Sequence, residues 1–459
     1  MTSGCSIRFL SGRQELRSRL LKRLRNCKFA EHPLALPILK KKTPSPNPEK
    51  KRKFNWGSIG PGLITGASDD DPSGITTYSQ AGAAHGYKLL WTSLLTFPMM
   101  ATIQEMCARI GLVTGHGLSG IVKRYYPRWV MYAVILFSAP AIVLNIGADL
   151  AGMGAVAHML WPGISSHLFS LSFTILLMFS IIYLSYPRIA GILKWLCVVL
   201  FCYCIVPFLG HIEWGTVLKS TLLPEWPDNR DYLLALVAIL GTTISPYLFF
   251  WQASMEVEEV QSKSLVVDKK VIDEMRFDVK VGIIFSNLVF YFIVLTSGAV
   301  LFPAGIREIE TVEEAAMALR PLAGDYAYHL FAVGVIGTGL LAIPVLAGSL
   351  SYLLAETFNW TEGLDRKFHE ARKFYGVIIV SLIIAWSMQY FEISPVKALY
   401  FTAIAYGVTS PVLIAVILHI CNNKTIMGGY VNGKYANIIG LVTLTFMLAA
   451  AGSLLYYSF

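Results

Sequence analysis

Gly66-Ala67-Ser68-Asp69-Asp70-Asp71-Pro72-Ser73-Gly74-Ile75 interrupts an apolar run that extends from about residue 57 to 83. A helix crossing a bilayer must satisfy every backbone group internally. Proline removes a donor and clashes with the preceding turn, and a charged side chain at the bilayer centre costs about 2.5–3.5 kcal/mol or more. Three carboxylates followed by Pro72 therefore mark a break that lines a cavity or is buried in protein. A second apolar run, about 231 to 254, carries Gly241-Thr242-Thr243-Ile244-Ser245-Pro246-Tyr247 at its centre.

The rest of the chain places these breaks in context. Of its 459 residues 55% are apolar and only 15% charged, against about 25% charged in soluble proteins. The apolar residues gather in runs of about 20, the length that crosses a ~30 Å hydrocarbon core as a helix. They do not alternate as barrel strands would. Eleven spans are predicted, at about 57–83, 89–111, 129–154, 166–186, 189–210, 231–254, 279–302, 327–356, 374–391, 396–420 and 435–458. The fourth and fifth are divided only by Ser185-Tyr186-Pro187-Arg188. Cys107, Cys197, Cys202 and Cys204 fall inside apolar runs with no C-x-x-C spacing, as small buried hydrophobes do.

Spans one to five and six to ten (about 57–210 and 231–420) read as two five-helix repeats, with 435–458 an added helix. Each break then lies in the first helix of its repeat. Five is odd, so the second repeat is inverted across the membrane. Interrupted helices at corresponding positions point to a transporter's central site. Away from the span ends the acids are Asp69, Asp70, Asp71, Glu105 and Asp149, with Arg109 and Lys194 the nearest bases. A cavity rich in acid attracts a cation, and carboxylates with the unpaired carbonyls of Ala67 to Asp70 suit a hard divalent one.

Positive charge orients the chain. With the N-terminus inside, residues 1–53 hold 15 of the 38 Lys and Arg, the inner loops and helix ends hold 17, and the outside keeps six. The expected location is the cell (inner) membrane, N-terminus cytoplasmic, and the net charge of +9 reports this orientation and not a nucleic-acid partner. Residues 1–54 form a basic cytoplasmic arm, distinct from the transporter domain at 55–459. The arm fits a disordered tail, or a helix on anionic headgroups with Leu16, Leu20 and Leu24 on one face; its composition also imitates an organelle transit peptide.

Several stretches resemble one family. Gly60-Pro61-Gly62-Leu63-Ile64, leading to Asp71-Pro72, is similar to the first helix of NRAMP divalent-metal transporters, which ends in Asp-Pro-Gly-Asn. Gln104-Glu105-Met106-Cys107-Ala108-Arg109-Ile110-Gly111-Leu112-Val113-Thr114-Gly115 resembles that family's Q-x-x-x-A-R-L-G-x-V-T-G stretch. Thr242-Thr243-Ile244-Ser245-Pro246-Tyr247 falls where the family has Ala-Thr-Val-Met-Pro-His. The resemblance implies an all-α membrane protein with a LeuT-type fold, two inverted repeats, broken helices 1 and 6, and alternating access. It is not an enzyme and needs no cofactor; the divalent ion, Mg²⁺ or Mn²⁺, is cargo. A monomer suffices for the mechanism.

Carried onto this chain, the resemblance assigns metal binding to Asp71, with Gly74 replacing the family's asparagine ligand and Ser245 its methionine. Asp70 and Thr242 complete the expected metal set. Ser68, Asp69, Glu105, Asp149, Tyr247 and Gln252 are expected around the ion or along its path, and Pro72 and Pro246 as hinges. Losing the thioether leaves only oxygen, and two smaller side chains widen the site, as a partly hydrated Mg²⁺ requires. Tyr186-Pro187-Arg188-Ile189 and Trp251-Gln252-Ala253-Ser254-Met255-Glu256 likewise resemble the NRAMP-related magnesium transporters. Asp149 falls at a family acidic position, but Asn145 and Ile146 occupy the region of the second acid. Tyr247 replaces a histidine, and 374–391 carries no charge. The reading is Mg²⁺ transport without proton coupling, and its alternative is a proton-coupled Mn²⁺/Fe²⁺ importer. A membrane enzyme lacks its nucleophile–base pair or H-E-x-x-H motif, and a channel or sensor fits the paired breaks less well. Glu256, Glu258 and Glu259 read either as an exit vestibule or as a solvated helix end.

Overall fold

The computed structural model describes residues 61–184, 191, 198–209, 212–225, 229–391 and 394–458. The basic arm, the Ser185–Arg188 junction, Lys194, Cys197 and the first part of the expected fifth span, apart from Gly191, lie outside the described residues. Every described element is helical. The first span is two helices, α1 (Pro61–Asp69) and α2 (Pro72–His85). After them come α3 (Trp91–Thr114), a short α4 (Leu118–Tyr125), α5 (Arg128–Leu160) and α6 (Ser166–Tyr183). Helical turns over 198–208 and a short α7 (Trp214–Leu222) lead to the sixth span, α8 (Arg230–Thr243) and α9 (Pro246–Lys263). Then follow α10 (Lys269–Val300), α11 (Ala327–Phe358), α12 (Arg372–Ser387), α13 (Pro395–Asn422) and α14 (Lys434–Ser458).

The two breaks close by different means. Pro72 and Pro246 each occupy the first turn of a new helix, where the missing N–H costs nothing. Asp71 caps the helix that follows: its Oδ1 accepts from the Gly74 N–H at 2.7 Å. Ser245 instead turns back, its hydroxyl donating to the carbonyls of Gly241 (3.0 Å) and Thr242 (2.7 Å). Pro98, Pro140, Pro344 and Pro411 lie within continuous helices; the residues before the first three, Phe97, Ala139 and Ile343, cannot cap, and the Ser410 hydroxyl before Pro411 is turned back to the Tyr406 carbonyl at 2.7 Å.

Packing is reciprocal, as inversion demands. The first span lies on α10, the seventh span, while the second half of the sixth span lies on α3, the second. α5 crosses α11, and α6 flanks α5 as α12 flanks α11. Glycines bring the broken helices to their partners. A Cβ on Gly66 would lie 2.7 Å from the Gly282 Cα, and one on Gly241 2.9 Å from the Gly407 Cα, so a side chain fits at neither.

Eight described helices are long and apolar enough to cross a membrane. The most apolar stretch of the sixth span is 94% buried within the protein, that of α6 only 22%. The broken helices are thus the centre. Leu168, Ile175 and Phe179 on α6, Val380 and Ile383 on α12, and Leu441 and Leu448 on α14 form the exposed apolar exterior that lipid would cover.

Candidate metal site at the paired breaks

The acidic break is delivered to the middle of the bundle by the α1–α10 and α2–α10 contacts, opposite the break of the sixth span. Asp69, Asp70, Asp71 and Asp149 are 1%, 0%, 2% and 0% exposed. Asp71 is held on both oxygens, Oδ1 by the Gly74 N–H and Oδ2 by the Asn145 amide of α5 at 3.0 Å. One α-helical turn further along α5, Asp149 lies within charge range of Asp71, and neither of its oxygens has a hydrogen-bond partner of standard geometry. Asp69 Oδ2 accepts from the Ser286 hydroxyl of α10 at 2.7 Å, and Asp70 Oδ1 meets the same hydroxyl at 3.4 Å.

Gly74 and Thr242 come together across the two breaks: a Cβ on Gly74 would stand 3.2 Å from the Asp69 carbonyl oxygen and 3.4 Å from Thr242 Oγ1. The Tyr247 hydroxyl donates to the Ser68 carbonyl at 3.1 Å, and Ser410 donates to the Ile244 carbonyl at 2.8 Å. Of the four carbonyls expected to be offered at the first break, Ala67 to Asp70, that of Ser68 is taken by the Tyr247 hydroxyl. Ser68, Gly241, Thr242 and Ile244 have carbonyls already engaged by hydroxyls, which also occupies the Ser245 proton. The hydroxyl oxygen of Ser245 keeps lone pairs.

The structure brings together Ser68, Asp69, Asp70, Asp71, Gly74, Asp149, Thr242, Ser245 and Tyr247. It does not bring Glu105 or Gln252 there. Glu105 pairs with Arg276 (3.0 Å) and Arg109 (3.3 Å), and Arg109 continues to the Tyr430 carbonyl (2.9 Å) and Asn432 (2.5 Å). This ties α3, α10 and the loop before α14 together. Gln252 accepts from the Thr65 hydroxyl at 2.5 Å and donates to Glu256 at 2.8 Å. The three glutamates form no open vestibule: Glu256 is buried on Gln252, Glu258 accepts from Tyr352, and Glu259 pairs with Lys263. Asn145 and Ser286 were not among the expected site residues. A lone amide within an apolar span was the available signal for Asn145; nothing in the spacing singles out Ser286.

The site is closed at both ends. At one end the Thr65–Gln252–Glu256 chain lies beneath it, and Glu356 of α11 accepts from the Ser119 hydroxyl and the Gly120 N–H (2.7 Å). At the other end Gln80 of α2 fastens the loop after α10, donating to the Arg307 carbonyl (2.9 Å) and accepting from the Ile309 N–H (2.8 Å). Among the described residues Arg109 is the one buried base, and it is engaged elsewhere.

Inverted repeats whose broken first helices meet at a closed acidic centre define a membrane transporter of LeuT-type fold. The family model "Natural resistance-associated macrophage protein-like" (Nramp) matches residues 62–457, and the chain belongs to that family. Similar curated proteins include the divalent metal cation transporter MntH of Chromohalobacter salexigens, 26% identical over 89% of this chain and 94% of that one. MntH of Bacillus subtilis is 23% identical over 85% and 90%. Among solved structures, the Eremococcus coleocola manganese transporter superposes with TM-score 0.68, at 17% identity and 89% coverage of both chains. Mhp1, a nucleobase-cation-symport-1 family transporter in a closed conformation, superposes with TM-score 0.52 at 14% identity, over 86% of this chain and 93% of its own.

Proposed function

We propose that this chain moves divalent metal cations across the membrane by alternating access, binding them at Asp71. The carrying observation is the position of Asp71: at the junction of two broken helices, fixed by Gly74 and Asn145, one of four buried carboxylates with no neighbouring base among the described residues. Buried charge of one sign needs a counter-ion, and the transported metal supplies it. The inner-membrane location with a cytoplasmic N-terminus belongs to the same proposal, on the charge bias of the loops.

The named relatives, divalent metal cation and manganese transporters, favour Mn²⁺ as cargo, and with it the proton-coupled reading, over the Mg²⁺ reading of the residues. One observation keeps Mg²⁺ as a second reading: Asn145, Asp149, Thr242 and Ser245 at the paired breaks offer oxygen, and Ser245 stands at the sequence position of the family's thioether ligand. Oxygen-only sites suit Mg²⁺ and Mn²⁺ alike. Purified protein in liposomes, with a pH-sensitive dye inside, separates the readings. Mn²⁺ uptake accompanied by acidification, and not inhibited by equal Mg²⁺, is the expected result. Mg²⁺ uptake without acidification would transfer the proposal to the second reading, and no uptake of either ion would contradict both.

A further inference from the structure

We propose that Asp69, Asp70 and Ser286 form a second divalent-cation site, separate from the cargo site on Asp71; the inference rests on the metal-transport reading.

The three consecutive aspartates do not face one way. Asp71 is turned to Asn145 on α5, whereas Asp69 and Asp70 are turned to Ser286 on α10. α5 and α10 are not packed side by side; the break stands between them. The close approach of Gly282 to Gly66 places Ser286, one turn along α10, directly against the end of α1. The same hydroxyl reaches one oxygen of each carboxylate and so holds the pair together.

The opposite oxygens, Asp69 Oδ1 and Asp70 Oδ2, are buried and have no hydrogen-bond partner. A separate group points the same way. The Tyr78 hydroxyl of α2 is fully buried beside Thr242, its ring lies on Phe290 of α10 at 4.4 Å between centroids, and it sits in the field of all three aspartates. It too has no hydrogen bond of standard geometry. A phenol and two carboxylates with unused oxygens, closed from water, hold lone pairs that a cation could take.

Charge balance sets the class of the occupant. One divalent ion between Asp71 and Asp149 compensates two carboxylates and leaves Asp69 and Asp70 uncompensated, with no free buried base among the described residues. Two adjacent carboxylates and hydroxyl oxygens are the donor set of a hard divalent cation.

The test counts Mn²⁺ bound per full-length chain in detergent by equilibrium dialysis, alongside Mn²⁺ paramagnetic resonance. Two ions are expected in the wild type, one in the Asp69→Asn/Asp70→Asn double variant, and one in Asp71→Asn. Ser286→Ala, the milder change, should keep the first ion and weaken the second about tenfold or more; dipolar broadening between paired ions should vanish in every variant that loses one. A single ion in the wild type, or a double variant or Ser286→Ala with wild-type binding, overturns the proposal while leaving the cargo reading intact. A wild-type chain that binds no Mn²⁺ overturns the cargo reading and this one together.

Discussion

Both oxygens of Asp71 are engaged by this chain's own amides, one from the backbone of Gly74 and one from Asn145. The aspartate is therefore oriented before any ion arrives, and removing either partner has a defined effect. Asn145→Ala leaves Asp71 Oδ2 buried without a donor. The expected loss is about 1–3 kcal/mol of stability, read as a lower melting temperature in detergent, together with weaker metal uptake. Ser245→Met restores a thioether beside Asp71 and should move competition toward Cd²⁺ over Mg²⁺; unchanged competition would remove Ser245 from the ion's surroundings. Asp71 is legible in the sequence because proline follows it in an apolar run. Asn145 reads there only as a missing acid, and Ser286 as an ordinary small residue. Their roles come from which helices pack together, and local spacing does not carry that information.

Helix limits follow from apolar run length more than from the residue before a proline: Asp71 and Ser245 precede prolines that begin new helices, yet Ser410 precedes Pro411 within the continuous α13. What spacing alone does not convey is close approach between helices. Gly282→Leu must force α1 from α10 at the point that sets Ser286 against the aspartates; a loss of about 1–3 kcal/mol is expected from overpacking, with Gly376→Leu, where nothing lies within 4 Å, as the neutral comparison. The loop after α11 carries a pH-dependent element. Burial, then the charges of Glu356 and Glu258, push Glu362 up to about 9, with Arg366 opposing. Unfolded, this carboxyl ionises near 4.3. Between about pH 4.3 and 9 the folded chain holds a proton that the unfolded chain has released, so its contribution to stability falls as pH rises. Glu362→Gln should raise the melting temperature at pH 8 more than at pH 5; equal shifts at both would contradict this.

At the scale of the whole molecule, the closed acidic centre, the loop fastened by Gln80 and the Glu356–Ser119–Gly120 contact are what one stage of the proposed alternating-access cycle would present. Energetics allow that cycle to run on membrane potential: one charge through 100 mV is worth ~2.3 kcal/mol, so a divalent ion gains about 4.6 kcal/mol, or roughly a thousandfold accumulation or more. The architecture was legible from paired breaks at corresponding places, because inversion repeats a pattern the hydropathy displays. The place of Glu105 was not, since one partner, Arg109, lies a turn along its own helix but the other, Arg276, comes from the distant α10. The central claim is that a divalent ion bound at Asp71 is what crosses the membrane. Uptake of Mn²⁺ and Mg²⁺ into liposomes by purified wild type and Asp71→Ala, at matched protein and an inside-negative potential, tests it directly. Saturable uptake by the wild type and a fall to the protein-free leak in Asp71→Ala is the predicted result; an Asp71→Ala variant that transports either ion at the wild-type rate would contradict it.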